Sequence, residues 1–130
     1  MSEVPSIETC FESVKSGSDF SGFISTLLGN SVACYFHYVS TGNVIFVKHS
    51  GETVMLKNER ELLSVRTEYD SDKVEFIVKQ HFRGLMPYED YCKQLAEAGV
   101  AKWVVDLSEM TRCYYSKRNG VIYSEAIVFT

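Results

Sequence analysis

The side chains that could do chemistry are few in this sequence, and His37 is the first to weigh. It stands two positions after Tyr35 in the run from Val32 to Val39, which is dominated by aromatic and β-branched residues. Such a run reads as a strand, and two-residue alternation puts Tyr35 and His37 together on its buried face. An imidazole there could line a ligand pocket or respond to pH; the plainer alternative is a packed ring with one hydrogen bond. Asp106 with Glu109 could supply a carboxylate pair at a strand end, where loops often hold sites. The alternative is an aspartate that accepts backbone hydrogen bonds in a turn. It is preferred because no His or Cys of the second half is placed to complete an acid–base set. Trp103 reads as a core anchor ahead of a stacking platform. A cleft, if formed, is expected to be lined by Tyr35, His37, Trp103 and Asp106, whereas His49 and His81 are expected on the surface.

The other reactive groups point away from metal and redox chemistry. Cys10, Cys34, Cys92 and Cys113 are scattered without a CxxC or CxxH spacing, so they read as reduced thiols packed as small hydrophobes. No metal, cofactor or catalytic residue is expected. Arg112, Lys117 and Arg118 beside Tyr114 and Tyr115 resemble, locally, a nucleic-acid-binding strand with interleaved aromatics. The whole chain carries 13 basic against 17 acidic residues, a net charge of -4, which argues against a phosphate-rich partner. Basic residues around a hairpin turn more often guard a sheet edge.

These groups need a scaffold. A chain of 130 residues, 45% hydrophobic and 23% charged with only 2 Pro, suits one ordered domain over 1–130. There is no signal-like N-terminal pattern and no stretch near the ~18 apolar residues of a membrane span, so a soluble cytoplasmic protein without a membrane partner is expected.

Ser6 can cap a helix carrying Ile7, Cys10, Phe11 and Val14, which Ser16-Gly17 stops. A second helix from Ser18 or Asp19 buries Phe20, Phe23, Ile24, Leu27 and Leu28 and ends at Gly29-Asn30. Val32 to Val39, Val44 to Lys48 and Thr53 to Lys57 read as three strands, the first pair joined through Thr41-Gly42-Asn43. Leu62 to Tyr69 lacks a clear period and connects the halves. A third helix starts at Asp72 with Glu75 three positions on, and a fourth has Pro87 at its first helical position and Tyr88, Tyr91, Cys92 and Leu95 as its apolar stripe. Strands follow over Val100 to Leu107, Met110 to Ser116 and Val121 to Phe129, with Asn119-Gly120 suited to a two-residue hairpin turn.

The second half echoes the first at an offset of 68 positions. Phe20, Phe23, Leu27, Val32, Tyr35 and Phe46 fall on Tyr88, Tyr91, Leu95, Val100, Trp103 and Tyr114. Identities are few, but aromatic replaces aromatic and turn falls on turn, consistent with duplication of a helix-helix-strand-strand-strand unit over 6–57 and 72–129. The fold class expected is α+β: a two-layer sandwich with helices on one face of a largely antiparallel sheet of five or six strands. Its inward sets are Ala33, Tyr35, His37 and Val39, and Ala101, Trp103, Val105 and Leu107.

With those residues inward, Cys34, Phe36 and Tyr38 must face outward, and Val44 and Phe46 are expected beside them. A patch rich in aromatics at Phe36, Tyr38 and Phe46 points to a protein interface, most simply a homodimer through the open sheet face. The alternative is that both faces are covered within the monomer.

The run Ala98-Gly99-Val100-x-Lys102-Trp103-Val104-Val105-Asp106, followed by Met110-Thr111 and Tyr114-Tyr115, resembles a bacterial and prophage family of small proteins that carries the name "phage envelope protein". Lys15-Ser16-Gly17-x-Asp19-Phe20 and Ser71-Asp72-Lys73 with His81-x-x-Gly84 extend the resemblance over nearly the whole chain. The sequence departs from the pattern at Arg112-Cys113, where the family runs Cys-Thr, and at His37, where an aromatic is usual. The resemblance implies a family of unknown function and brings no catalytic residues. The residues themselves favour an accessory or binding domain acting through protein contacts; the alternative is a small-molecule-binding protein or enzyme with a cleft near Tyr35, His37, Trp103 and Asp106.

Overall fold

The computed structural model describes residue 11, residues 20–58 and residues 60–127. Among them, α1 spans Phe20–Gly29, α2 Ser71–Phe82 and α3 Tyr88–Glu97. The strands are β1 Val32–Tyr38, β2 Val44–Lys48, β3 Thr53–Leu56, β4 Lys102–Asp106, β5 Thr111–Tyr115 and β6 Val121–Ala126. They form one antiparallel sheet in the order β3-β2-β1-β4-β5-β6. The helices pack on one face, giving the expected α+β sandwich.

Each helix end has a local cause. Asp70, in an extended conformation, accepts from the Lys73 N–H at 3.2 Å, so α2 begins two residues earlier than an Asp72 cap predicts. Pro87 stands at the N-cap position of α3, one place before the first helical position expected for it and without a capping hydrogen bond, and Glu89 and Asp90 in the first turn meet the positive end of the helix dipole. Gly99 follows α3 at φ 92, and its missing side chain matters twice over, because a Cβ there would sit 2.4 Å from the Glu68 carbonyl. The 60–70 connection runs against that corner, donating from Arg66 N to Ala96 O and from Asp70 N to Ala98 O. Between β5 and β6 the loop is 117–119 with Asn119 at φ 64, longer than the two-residue turn expected from Asn119-Gly120. The first expected helix lies outside the described residues except for Phe11, which is helical and 7% exposed.

Some element bounds coincide at the 68-position offset, while β2 and β5 are out of step by one residue. Both ends of α1 recur in α3 at that offset, as do the end of β1 in β4 and the start of β3 in β6. Pairing of β1 with β4 is also unchanged when the halves are exchanged. Tyr35 opposes Val105 as Trp103 opposes His37, and Phe36 opposes Val104, its own counterpart. An approximate two-fold axis through the Phe36 and Val104 pair would produce this register.

Alternation then decides the core. Tyr35, His37, Val39, Trp103, Val105 and Leu107 are buried as expected, while Ala33 is only partly so because the register shifts between Val32 and Cys34. From α1, Phe23, Ile24 and Leu27 are at most 1% exposed, each such burial stabilising by about 1.5–3 kcal/mol. Phe46 corrects the expectation of an outward patch residue. It pairs with Tyr35, directly opposed residues share a sheet face, and Phe46 is therefore fully buried with Val44.

Candidate functional site

Two surfaces of the sheet gather the chemistry. On the helix side the strands present rings and hydroxyls to α1, α2 and α3. His37 stacks on Trp103 across the β1/β4 pair, centroids 3.9 Å apart and planes at 17°, and its Nε2 lies 2.6 Å from the Tyr88 hydroxyl on α3. Phe11, Phe23 and Phe46 close around the same cluster. Tyr35 is 3% exposed, and burial pushes its phenol up to about 12. Tyr35, His37 and Trp103 thus do come together, as a packed seam of buried rings.

Asp106 does not join them. Its partner across the ladder is Cys34, which places it on the opposite sheet face. Its Oδ1 accepts from the Ser108 N–H at 2.9 Å and the Glu109 N–H at 3.1 Å, the turn role, and the expected cleft of Tyr35, His37, Trp103 and Asp106 is not assembled. Two surface clefts of about 240 Å³ lie elsewhere, one lined by Arg60, Glu61, Leu63, Glu89 and Lys93 and the other between Arg66 and Glu97. Among the described residues, no three of His, Cys, Asp and Glu converge on a metal-sized site.

The seam continues into a buried polar group that sequence reading placed on the surface. Arg112 pairs with Glu125 across β5 and β6, so it points inward, 4% exposed. Its guanidinium meets Glu125 Oε2 at 2.5 Å and lies 3.9 Å from the centre of the Phe82 ring. Burial opposes the Arg112 charge, but the facing oxygens of Tyr114, Tyr91, Tyr35 and Glu125 outweigh it, and the side chain holds its proton more firmly than usual. Tyr91 and Tyr114 share a 2.6 Å hydroxyl contact, and Tyr123 donates to Glu125 Oε1 at 2.7 Å. His81 is likewise buried, not superficial: it stacks on Tyr91 at 3.9 Å and 6°, with Nδ1 2.8 Å from the Met86 carbonyl, and burial lowers its pKa. The signal that could have found Arg112 was alternation from Tyr114, two positions on and buried.

The opposite face carries no described helix. Met55, Ile45, Phe36, Val104 and Cys113 lie side by side across β3, β2, β1, β4 and β5. Tyr38, Lys102 and Tyr115 form the neighbouring row, with Lys102 Nζ 5.8 Å from the Phe36 ring centre and 5.4 Å from that of Tyr115. Among the described residues, only Lys102 and Asp106 bring charge to the outward strand positions. Phe36 and Tyr38 stand on this face, half-buried by their neighbours; Met55 is 50% exposed. Cys34 shares it, its thiol pushed up by burial and then by Asp106. Lys117 and Arg118 are exposed in the β5/β6 loop, apart from Arg112.

No described helix is long and apolar enough to cross a membrane. Comparison with known proteins finds a 32% identical relative, the Escherichia coli (strain K12) "Uncharacterized protein YcgX", aligned over 98% of this chain and 95% of its own length. A second from the same strain, "Uncharacterized protein YbcV", is 25% identical over 98% of this chain and 93% of its own. Neither name carries the phage-envelope label. A family model described as "Protein of unknown function (DUF1398)" matches residues 8–126. With that match spanning both halves of the sheet, the chain belongs to the DUF1398 family of unknown function.

Proposed function

We propose that the protein is a noncatalytic binding domain whose working surface is the open sheet face, and that this face seats a second copy of the chain. The observation that carries the reading is the apolar row from Met55 through Phe36 to Cys113, flanked by aromatics and left uncovered by the described helices. A contiguous apolar patch of this kind marks an interaction surface more often than a solvated one. Strands ~4.8 Å apart and ~17 Å long give six of them a footprint of roughly 450 Å². Two such faces bury roughly 900 Å², below the ~1,200 Å² at which stable specific interfaces begin, so the dimer should be weak and depend on concentration, with a Kd on the order of 10 µM. The prophage context is part of this proposal only through the sequence resemblance.

Sedimentation of the Phe36→Lys variant tests the reading. A lysine at the centre of the apolar row should weaken self-association by about a hundredfold, because its charge must be desolvated without a partner. The thermal midpoint of the monomer should hardly move, since Phe36 points away from the core. An association constant unchanged by Phe36→Lys would place the contact elsewhere.

A further inference from the structure

The charges on the open face select how two copies would meet, an inference that rests on the binding reading above. Two sheets stacked face to face can be related by a two-fold axis in the interface, running either along the strands or across them. An axis along the strands would set Lys102 over Tyr38 of the second copy and Asp106 over its Cys34, leaving the carboxylate covered without a cation. An axis across them, along the row that holds Phe36 and Val104, sets β4 antiparallel over β4. Lys102 and Asp106 lie two residues to either side of Val104 on that strand, so each then faces the other's counterpart. We infer that the chain dimerises about this crosswise axis, with Lys102 of each copy paired to Asp106 of the other. Burying unpaired charge is costly and pairing it sets register, which is why the charges decide between two arrangements that the apolar row alone leaves equal. Cys113 lies in the axial row and would face its own copy across the ~10 Å between stacked sheets.

Charge reversal in trans tests the arrangement. Lys102→Glu alone opposes two carboxylates, and Asp106→Lys alone opposes two ammonium groups. Mixed, the two variants restore both pairs, so the heterodimer should form at least about tenfold more tightly than either homodimer. Asp106→Lys also removes the acceptor of the Ser108 and Glu109 N–H groups, so a second measurement avoids that position. In a Cys10→Ser, Cys34→Ser background, a bismaleimide spanning ~10 Å should couple Cys113 to Cys113 of the second copy. A wild-type dimer that shows neither heterodimer preference nor Cys113 coupling overturns the crosswise axis and leaves the binding face standing. A wild-type chain that remains monomeric at about 1 mM overturns both.

Discussion

At the scale of single residues, the least expected feature is the charge inside the helix–sheet layer. Arg112 can sit there because Glu125 meets its guanidinium at 2.5 Å, Tyr123 holds the second carboxylate oxygen, and Phe82 covers the flat face. Removing one member of a buried pair strands the other, so Glu125→Ala should lower unfolding free energy by about 3 kcal/mol in urea titration. A loss below ~0.5 kcal/mol would mean that the pair is solvated. His81 sets a pH dependence of definite sign. Burial depresses its pKa in the fold, so below the usual ~6.5 the unfolded chain binds a proton that the folded chain refuses. Its contribution is therefore intact above ~6.5 and lost as pH falls from there toward the folded value. His81→Gln should flatten the fall of the urea midpoint between about pH 7 and 5; an unaltered slope would assign the effect to other groups. Tyr35 works at the other end, since its neutral phenol is favoured until pH rises from ~10 toward about 12. Phenolate absorbance should show this group titrating late.

At the scale of elements, the close corner between α3 and the connecting segment is the most sensitive point. Gly99 combines φ 92 with the 2.4 Å approach its Cβ would make to Glu68 O, and the Asp70 to Ala98 hydrogen bond holds the same crossing together. Gly99→Ala should cost about 3 kcal/mol by chemical denaturation, and a cost below ~1 kcal/mol would show that the corner yields. Much of this scaffold was legible in the sequence. Strong period and clear stops put α1, α3 and the strands β1, β2 and β4 within a residue or two, because Gly29-Asn30, Pro87 and Gly99 punctuate them. What was not legible depended on partners distant in sequence. The sequence of β2 alone points Phe46 outward because it does not reveal that Tyr35 is its neighbour, and the charge of Arg112 suggests a solvated edge, against its alternation with Tyr114. Asp106 is the turn acceptor its position before a hairpin suggests, but it faces away from Tyr35, His37 and Trp103, since successive strand positions face opposite ways.

At the scale of the whole molecule, β1 and β4 join the two hairpins into one sheet, and the described helices all lie on one side of it. The helix side is closed by stacked rings and a paired charge, while on the other side the row of Ile45, Phe36, Val104 and Cys113 has no described helix over it. The same geometry that removes the expected cleft thus supports the binding reading, because Tyr35, His37 and Trp103 hold the layers together while Phe36, Tyr38, Val104 and Cys113 remain on the outside. Salt should act mildly on such a dimer, as the two covered Lys102–Asp106 pairs are screened less than exposed charges and the rest of the contact is apolar. The most direct measurement is sedimentation equilibrium of the wild-type chain and of Phe36→Lys across the same concentrations. The account predicts a reversible wild-type dimer and a folded, monomeric variant; equal molecular weights for the two at every concentration would contradict it.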